Sequence, residues 1–327
     1  MTDRTELRRL KGGRLGNLEF YRKTILGGSF DLSPGRFLVY LDLNKWIDLA
    51  RAESRQDQGH LHWDALRTAE RLVAAGLVTF PLSSAHFMEV AKIGDDSRRR
   101  NLAKLMANLS QGWFLASNRS FFLQELRTAI AGRFAKSFNM ETICPLTRSL
   151  KDAFGVTGRL GAADFDDRIL DSPEALEECL AKVRATGQFL EGWSVFAARS
   201  EQGRSRCRDA TADMRKRRYC VLVTVYIQND LISVLNEFGL SWEDFAALGP
   251  QGCVELLERV PTLDVEINLF VQRDEHWDRK IAPNDGIDLA FLPLAVPYCR
   301  IVITEKILDK PCSANQTRHQ IWNACRP

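Results

Sequence analysis

Two apolar stretches near opposite ends of the chain each finish on an acid, and they constrain the fold more than any other feature. Phe37-Leu38-Val39-Tyr40-Leu41-Asp42 and Cys299-Arg300-Ile301-Val302-Ile303-Thr304-Glu305 both read as β-strands. Ser83-Ser84-Ala85-His86-Phe87-Met88-Glu89 reads as a helix start with Ser83 or Ser84 as N-cap, and Asn284-Asp285-Gly286-Ile287-Asp288 as another. An acid at the carboxyl end of a parallel strand stands where α/β folds place their ligands. Several acids gathered there make a hard-cation site, and such sites commonly handle phosphate.

Between these landmarks the pattern alternates. Helical periodicity follows the first strand at about 44–53 and again at 63–75. Val78-Thr79-Phe80-Pro81-Leu82 reads as a short buried strand, 98–109 as a helix and Trp113-Phe114-Leu115-Ala116 as a third strand. Strands alternating with helices predict a parallel α/β sheet. The stretch from about 118 to 280 is different, with helical periodicity at 174–185, 188–199, 209–238, 242–257 and 263–280. Val221-Leu222-Val223-Thr224-Val225-Tyr226-Ile227 is β-branched enough for a strand, but its flanks favour a buried helix. The expected organisation is an N-terminal arm (1–36), a first core segment (37–117), a helical insertion (118–282) and a second core segment (283–327).

The 327 residues, 45% hydrophobic and 27% charged, match a soluble globular protein. A formal charge of +3 permits a nucleic-acid partner without requiring one. No run reaches the ~18–20 apolar residues that a membrane helix needs. The eight cysteines form no CxxC pair, and the charged first ten residues lack a signal-peptide core, so a cytoplasmic location is expected.

Each acid also has an ordinary use. Asp42 suits the N-cap of the helix after its strand, although Asn44 is an alternative cap. Glu89, read as one turn into its helix, gains from the macrodipole like many solvated glutamates. Asp285 and Asp288 share a helix face and fit a capping pair. Pro293 implies that their helix is kinked or short. Taken together they are harder to dismiss, because every one falls at a strand end or in a first helical turn.

In order along the chain, Val39-Tyr40-Leu41-Asp42-Leu43-Asn44, Leu82-Ser83-Ser84-Ala85-His86-Phe87-Met88-Glu89, Asn284-Asp285-Gly286-Ile287-Asp288 and Pro297-Tyr298-Cys299-Arg300-Ile301-Val302-Ile303-Thr304-Glu305-Lys306 resemble the motifs of PIN-like nuclease domains. That resemblance covers roughly 37–116 and 283–306, under half the chain. It implies an α/β, parallel-sheet PIN-like core carrying a large α-helical insertion. It also implies a metal-dependent endoribonuclease, a hydrolase in which Asp42, Glu89, Asp288 and Glu305 are catalytic. With Asp285 as an extra ligand, they would hold Mg²⁺ or Mn²⁺. Glu305 stands where aspartate is usual, and the insertion exceeds that of minimal family members.

An RNA substrate needs basic surroundings. Arg98, Arg99 and Arg100 near Glu89, and Arg215, Lys216, Arg217 and Arg218 in the insertion, are the candidate phosphate or RNA contacts, together with Thr304. Charge runs are more often solvated faces, and Trp113, Trp193 and Trp277 are as readily core as base-stacking residues. Two other readings stay open. One is a degenerate PIN-like module that binds RNA or protein, and a neutralising or regulatory protein partner is a family-level expectation. The other is a haloacid-dehalogenase-like phosphatase, which expects Asp-x-Asp where this chain has Asp42-Leu43-Asn44.

Overall fold

The computed structural model describes residues 37–54, 62–138, 145–154, 174 and 189–304. The arm at 1–36, most of the helix expected at 174–185, and Glu305 with everything after it lie outside the described residues. In chain order the elements begin with β1 (Phe37–Leu41), α1 (Leu43–Glu53), α2 (Trp63–Ala74), β2 (Val78–Thr79), α3 (Ser84–Val90) and α4 (Asp96–Ser110). Next come β3 (Phe114–Leu115), α5 (Asn118–Arg133), β4 (Leu146–Thr147) and α6 (Leu150–Phe154). A helical stretch follows: α7 (Phe189–Ser205), α8 (Ala212–Tyr226), α9 (Gln228–Glu237), α10 (Trp242–Ala246), α11 (Gly249–Leu257) and α12 (Pro261–Asp274). The chain returns to the sheet through α13 (Pro283–Tyr298) and β5 (Ile301–Ile303).

The two acid-ended strands pair side by side. β1 is central and parallel to both neighbours, with Leu38 opposite Thr79 of β2 and Leu41 opposite Ile303 of β5. A parallel bridge between Leu82 and Phe114 ties on the antiparallel β3–β4 pair. Successive side chains of a strand point to opposite faces, and β1 buries both. Val39 and Leu41 enter one cluster with Trp46, Leu66, Phe87 and Leu105, while Leu38 and Tyr40 enter another with Phe121, Leu292, Ala295 and Tyr298. Burying each such side chain contributes about 1.5–3 kcal/mol. This α/β sheet is small, and most of the described chain is helical.

α5 and β4 were not expected from the sequence. Phe121 of α5 packs toward the sheet, whereas Phe122, Leu126 and Ile130 join a separate helical core with Val223, Leu231, Leu256 and Ile267. The helix is therefore a seam between two cores. Its Glu125, only 1% exposed, accepts from the Thr262 N–H at 2.9 Å and the Thr262 hydroxyl at 2.6 Å. Glu125 also accepts from the Tyr298 hydroxyl. Thr262 sits in the first turn of α12, whose N–H groups have no helical acceptor, so a carboxylate from another helix satisfies one of them.

Three expectations are corrected or narrowed here. Residues 221–226 are helical, as read, but they form a surface and not a buried helix: Val221, Leu222, Val225 and Tyr226 are exposed, and in this helix only Tyr219, Cys220 and Val223 are buried. The continuous helix read at 209–238 is broken at Ile227, between α8 and α9. α13 is not short, because it runs sixteen residues through both Pro293 and Pro297. Each proline removes one helical donor, and packing against α12, α7, α5, α3 and β5 holds the helix nonetheless. Among the described residues no single helix is long and apolar enough to cross a membrane; α8 and α9 reach that composition only together, bent by 72°.

Candidate active site

Asp42 leaves the sheet where β1 ends. Its N–H donates to the Ile303 carbonyl at 2.9 Å, which carries the β1–β5 ladder one step further and sets Asp42 beside buried Thr304. The carboxylate is half-buried and accepts from the Leu43 N–H at 2.7 Å, so Asp42 itself caps α1. Asn44 does not take that role; it lies exposed inside the helix.

Glu89 is half-buried on α3. That helix spans only seven residues, Ser84–Val90, so Glu89 sits at its C-terminal end. The macrodipole there disfavours a carboxylate, which reverses the sequence argument for this position. Both Asp42 and Glu89 lie near enough to Tyr40 for their charges to act on it. Burial pushes the Tyr40 hydroxyl well above its usual range against a 3.0 Å hydrogen bond with Ser83, and the charges of Asp42 and Glu89 push it further. Both carboxylates thus act on one buried hydroxyl.

His86 fastens this corner. It is 1% exposed; its Nδ1 accepts from the Ser83 N–H at 2.9 Å, so Nε2 carries the proton and donates to the Leu41 carbonyl at 2.8 Å. Burial lowers its pKa to about 4, against the raising effect of the Leu41 bond, which keeps the ring neutral. The ring ties the start of α3 to the last residue of β1. The legible signal was a histidine three residues after an N-cap serine, the spacing of a capping box.

The acids of α13 divide. Asp285, 6% exposed, accepts from Arg279 at 2.5 Å and from the Ala282 N–H at 2.9 Å. Both of its oxygens are engaged in closing the helix start. Asp288 lies in the backbone of the second turn of α13, a helix that packs against α3 and β5. Glu305 lies outside the described residues. Among the described residues no group of three His, Cys, Asp or Glu side chains is placed to hold a metal ion. Asp42 and Glu89 are the right kind of hard oxygen donor, and the described part of the site provides these two.

The basic candidates are mostly engaged elsewhere. Arg99 is 7% exposed, paired with Asp96 at 2.8 Å and bonded to the Ile93 carbonyl, so it braces the start of α4. Arg98 and Arg100 are exposed on the same helix. In α8, Arg215 pairs with Glu275 at 3.6 Å, Lys216 with Glu258 at 2.6 Å and Arg217 with Asp213 at 3.0 Å. Arg218 lies over the Tyr219 ring at 5.2 Å. Arg215 and Lys216 tie α8 to the ends of neighbouring helices, Arg217 pairs within α8, and three of the four charges meet a carboxylate. Arg148 covers Trp113 at 4.6 Å and Arg204 covers Trp277 at 5.5 Å, so both rings already have a cation on a face.

Comparison with protein-family models, curated proteins and solved structures returned no match. The PIN-like resemblance therefore rests on the residues quoted for it.

Proposed function

We propose that the chain is a metal-dependent endoribonuclease with a PIN-like core, acting at the carboxyl edge of the β2–β1–β5 sheet. The observation that supports this reading most is the placement of Asp42 at the end of β1, hydrogen-bonded to Ile303 of β5, with Glu89, distant in sequence, near enough that both charges act on Tyr40. In this reading Asp42 and Asp288 hold Mg²⁺ or Mn²⁺, with Glu89 and Glu305 completing the oxygen donors. A divalent cation held by these carboxylates would supply a Lewis acid for the bound water and for the phosphodiester oxygens. Thr304, at the end of β5 beside Asp42, donates its hydroxyl to a phosphate oxygen. The neutral Tyr40–Ser83–His86 network fixes the positions of β1 and α3 without adding positive charge that would compete with a cation.

A binding module without catalysis is the second reading, favoured by the lack of a three-donor group among the described residues. The phosphatase reading loses ground, since position 44 is an exposed asparagine. The deciding experiment incubates total RNA with Mn²⁺ or Mg²⁺ and wild type, Asp42→Asn or Asp288→Asn, with calorimetric metal titrations alongside. Metal-dependent cleavage lost in both variants is expected. Metal-independent cleavage, or none at all without measurable metal binding, sinks the nuclease reading.

A further inference from the structure

A cluster in the helical layer combines buried charge with unmet hydrogen-bonding capacity. The end of α7, the start of α8 and the end of α12 meet there and carry four arginines between them. Arg204, 4% exposed, donates to the His276 carbonyl at 2.9 Å and to Glu201 at 2.7 Å. Arg273, 7% exposed, donates to Asp274 at 2.9 Å and reaches the Tyr219 hydroxyl at 3.3 Å. Arg215 donates to the Ala210 carbonyl at 2.5 Å. The Arg218 guanidinium lies against Gly203, where a Cβ would stand 2.1 Å from its Nη2 and 3.3 Å from its Cζ.

Each of the four keeps a buried N–H that meets no acceptor among the described residues: Nε of Arg204 and Arg215, and Nη1 of Arg218 and Arg273. A buried donor left unmet costs about 1–3 kcal/mol, more when charged. Three acids, Glu201, Asp274 and Glu275, offset these four cations, and no described carboxylate pairs with Arg218. Water could accept the hydrogen bonds but not balance the charge. An oxyanion does both, and guanidinium forks match phosphate geometry. The N–H groups are buried, so the fitting ligand is small and not a polymer backbone.

We propose that this seam binds a small phosphate-class oxyanion, either the free ion or the terminal phosphate of a small ester. The site is separate from the strand ends and does not depend on the nuclease reading. The lack of a side chain at Gly203 lets Arg218 lie on the α7 backbone, so Gly203 is part of the site.

Isothermal titration of the full chain with inorganic phosphate, in EDTA and with chloride holding ionic strength constant, tests the proposal. A parallel arm titrates a nucleoside monophosphate, and the tighter of the two ligands assigns the source. The expected result is saturable one-to-one binding, at least tenfold weaker in Arg218→Gln and in Gly203→Ala, and unchanged in Asp42→Asn. Circular dichroism checks that the variants fold; Gly203→Ala, which only displaces a guanidinium, keeps the test open if Arg218→Gln does not. No saturable binding of either ligand by wild type overturns the proposal. So does equal affinity in both folded seam variants, or loss of binding in Asp42→Asn.

Discussion

The strand-end corner and the helical layer bury polar groups in opposite ways. At the corner the fully buried members, Tyr40, Ser83 and His86, are neutral and bond one another or the backbone. The carboxylates of Asp42 and Glu89 stay half-buried at the rim. In the helical layer the charges themselves are inside: Asp274 is 0% exposed, with Arg204 and Arg273 close behind. Neutral bonds hold a frame without using up charge, so charge at the rim remains available for chemistry. Buried charges hold helices together and are consumed in doing so.

The largest effects should come from emptying each interior. Asp274→Ala strands Arg273 without its carboxylate and takes the acceptor from Tyr219, for an expected loss of about 3–5 kcal/mol. Trp46→Ala opens a cavity beneath β1 and costs about 3–5 kcal/mol for a different reason, lost apolar contact. Urea unfolding followed by circular dichroism measures both. An Asp274→Ala loss below about 1 kcal/mol would show that buried charge does not hold the helical layer, and the contrast between the two regions would fail.

The pH dependence separates the regions by sign. His86 has a folded pKa of about 4 against 6.5 when unfolded, so the unfolded chain takes up a proton first. Its effect is a loss of stability as pH falls from about 6.5 to about 4, on the order of 3 kcal/mol. Glu125 is the reverse. Burial raises it from 4.5 to about 7 against the lowering effect of its three hydrogen bonds, so its contribution is lost as pH rises through that window. Glu266, also pushed up to about 7 by burial, adds to the same limb. From about pH 5 to 6.5 the two acids outweigh the histidine, and wild-type stability should fall as pH rises. Glu125→Gln should flatten that slope. A slope that is unchanged in the variant would show that Glu125 does not carry the alkaline limb.

What the sequence revealed followed from local chemistry. β1 and β5 were legible because an apolar run closed by an acid is a short-range pattern, and Ser83 was legible as a cap. α5 was not, because Phe121 and Phe122 serve two different cores and leave no single apolar stripe to count. Glu89 was placed correctly on a helix but at the wrong end of it, since α3 stops after seven residues. The partners of Asp285 and Arg99, Arg279 with the Ala282 backbone and Asp96 with the Ile93 carbonyl, were not legible because they are fixed only by folding. The same holds for Lys216, whose Glu258 partner lies on a loop after α11.

That last pair offers the smallest and sharpest test of the comparison. Lys216 and Glu258 are both partly exposed, with side-chain exposures of 25% and 42%. Solvent screening therefore limits the pair to about 0–1 kcal/mol. Lys216→Met keeps most of the aliphatic length while removing the charge, so the expected loss of stability is under about 1 kcal/mol, shrinking further as salt rises. A double-mutant cycle with Glu258→Gln measures the pair alone. Coupling well above that range, and insensitive to salt, would mean that the rim of the helical layer braces the fold no less than its interior does. The basic run of α8 would then have no residue to spare for a phosphate ligand outside the Arg218 seam.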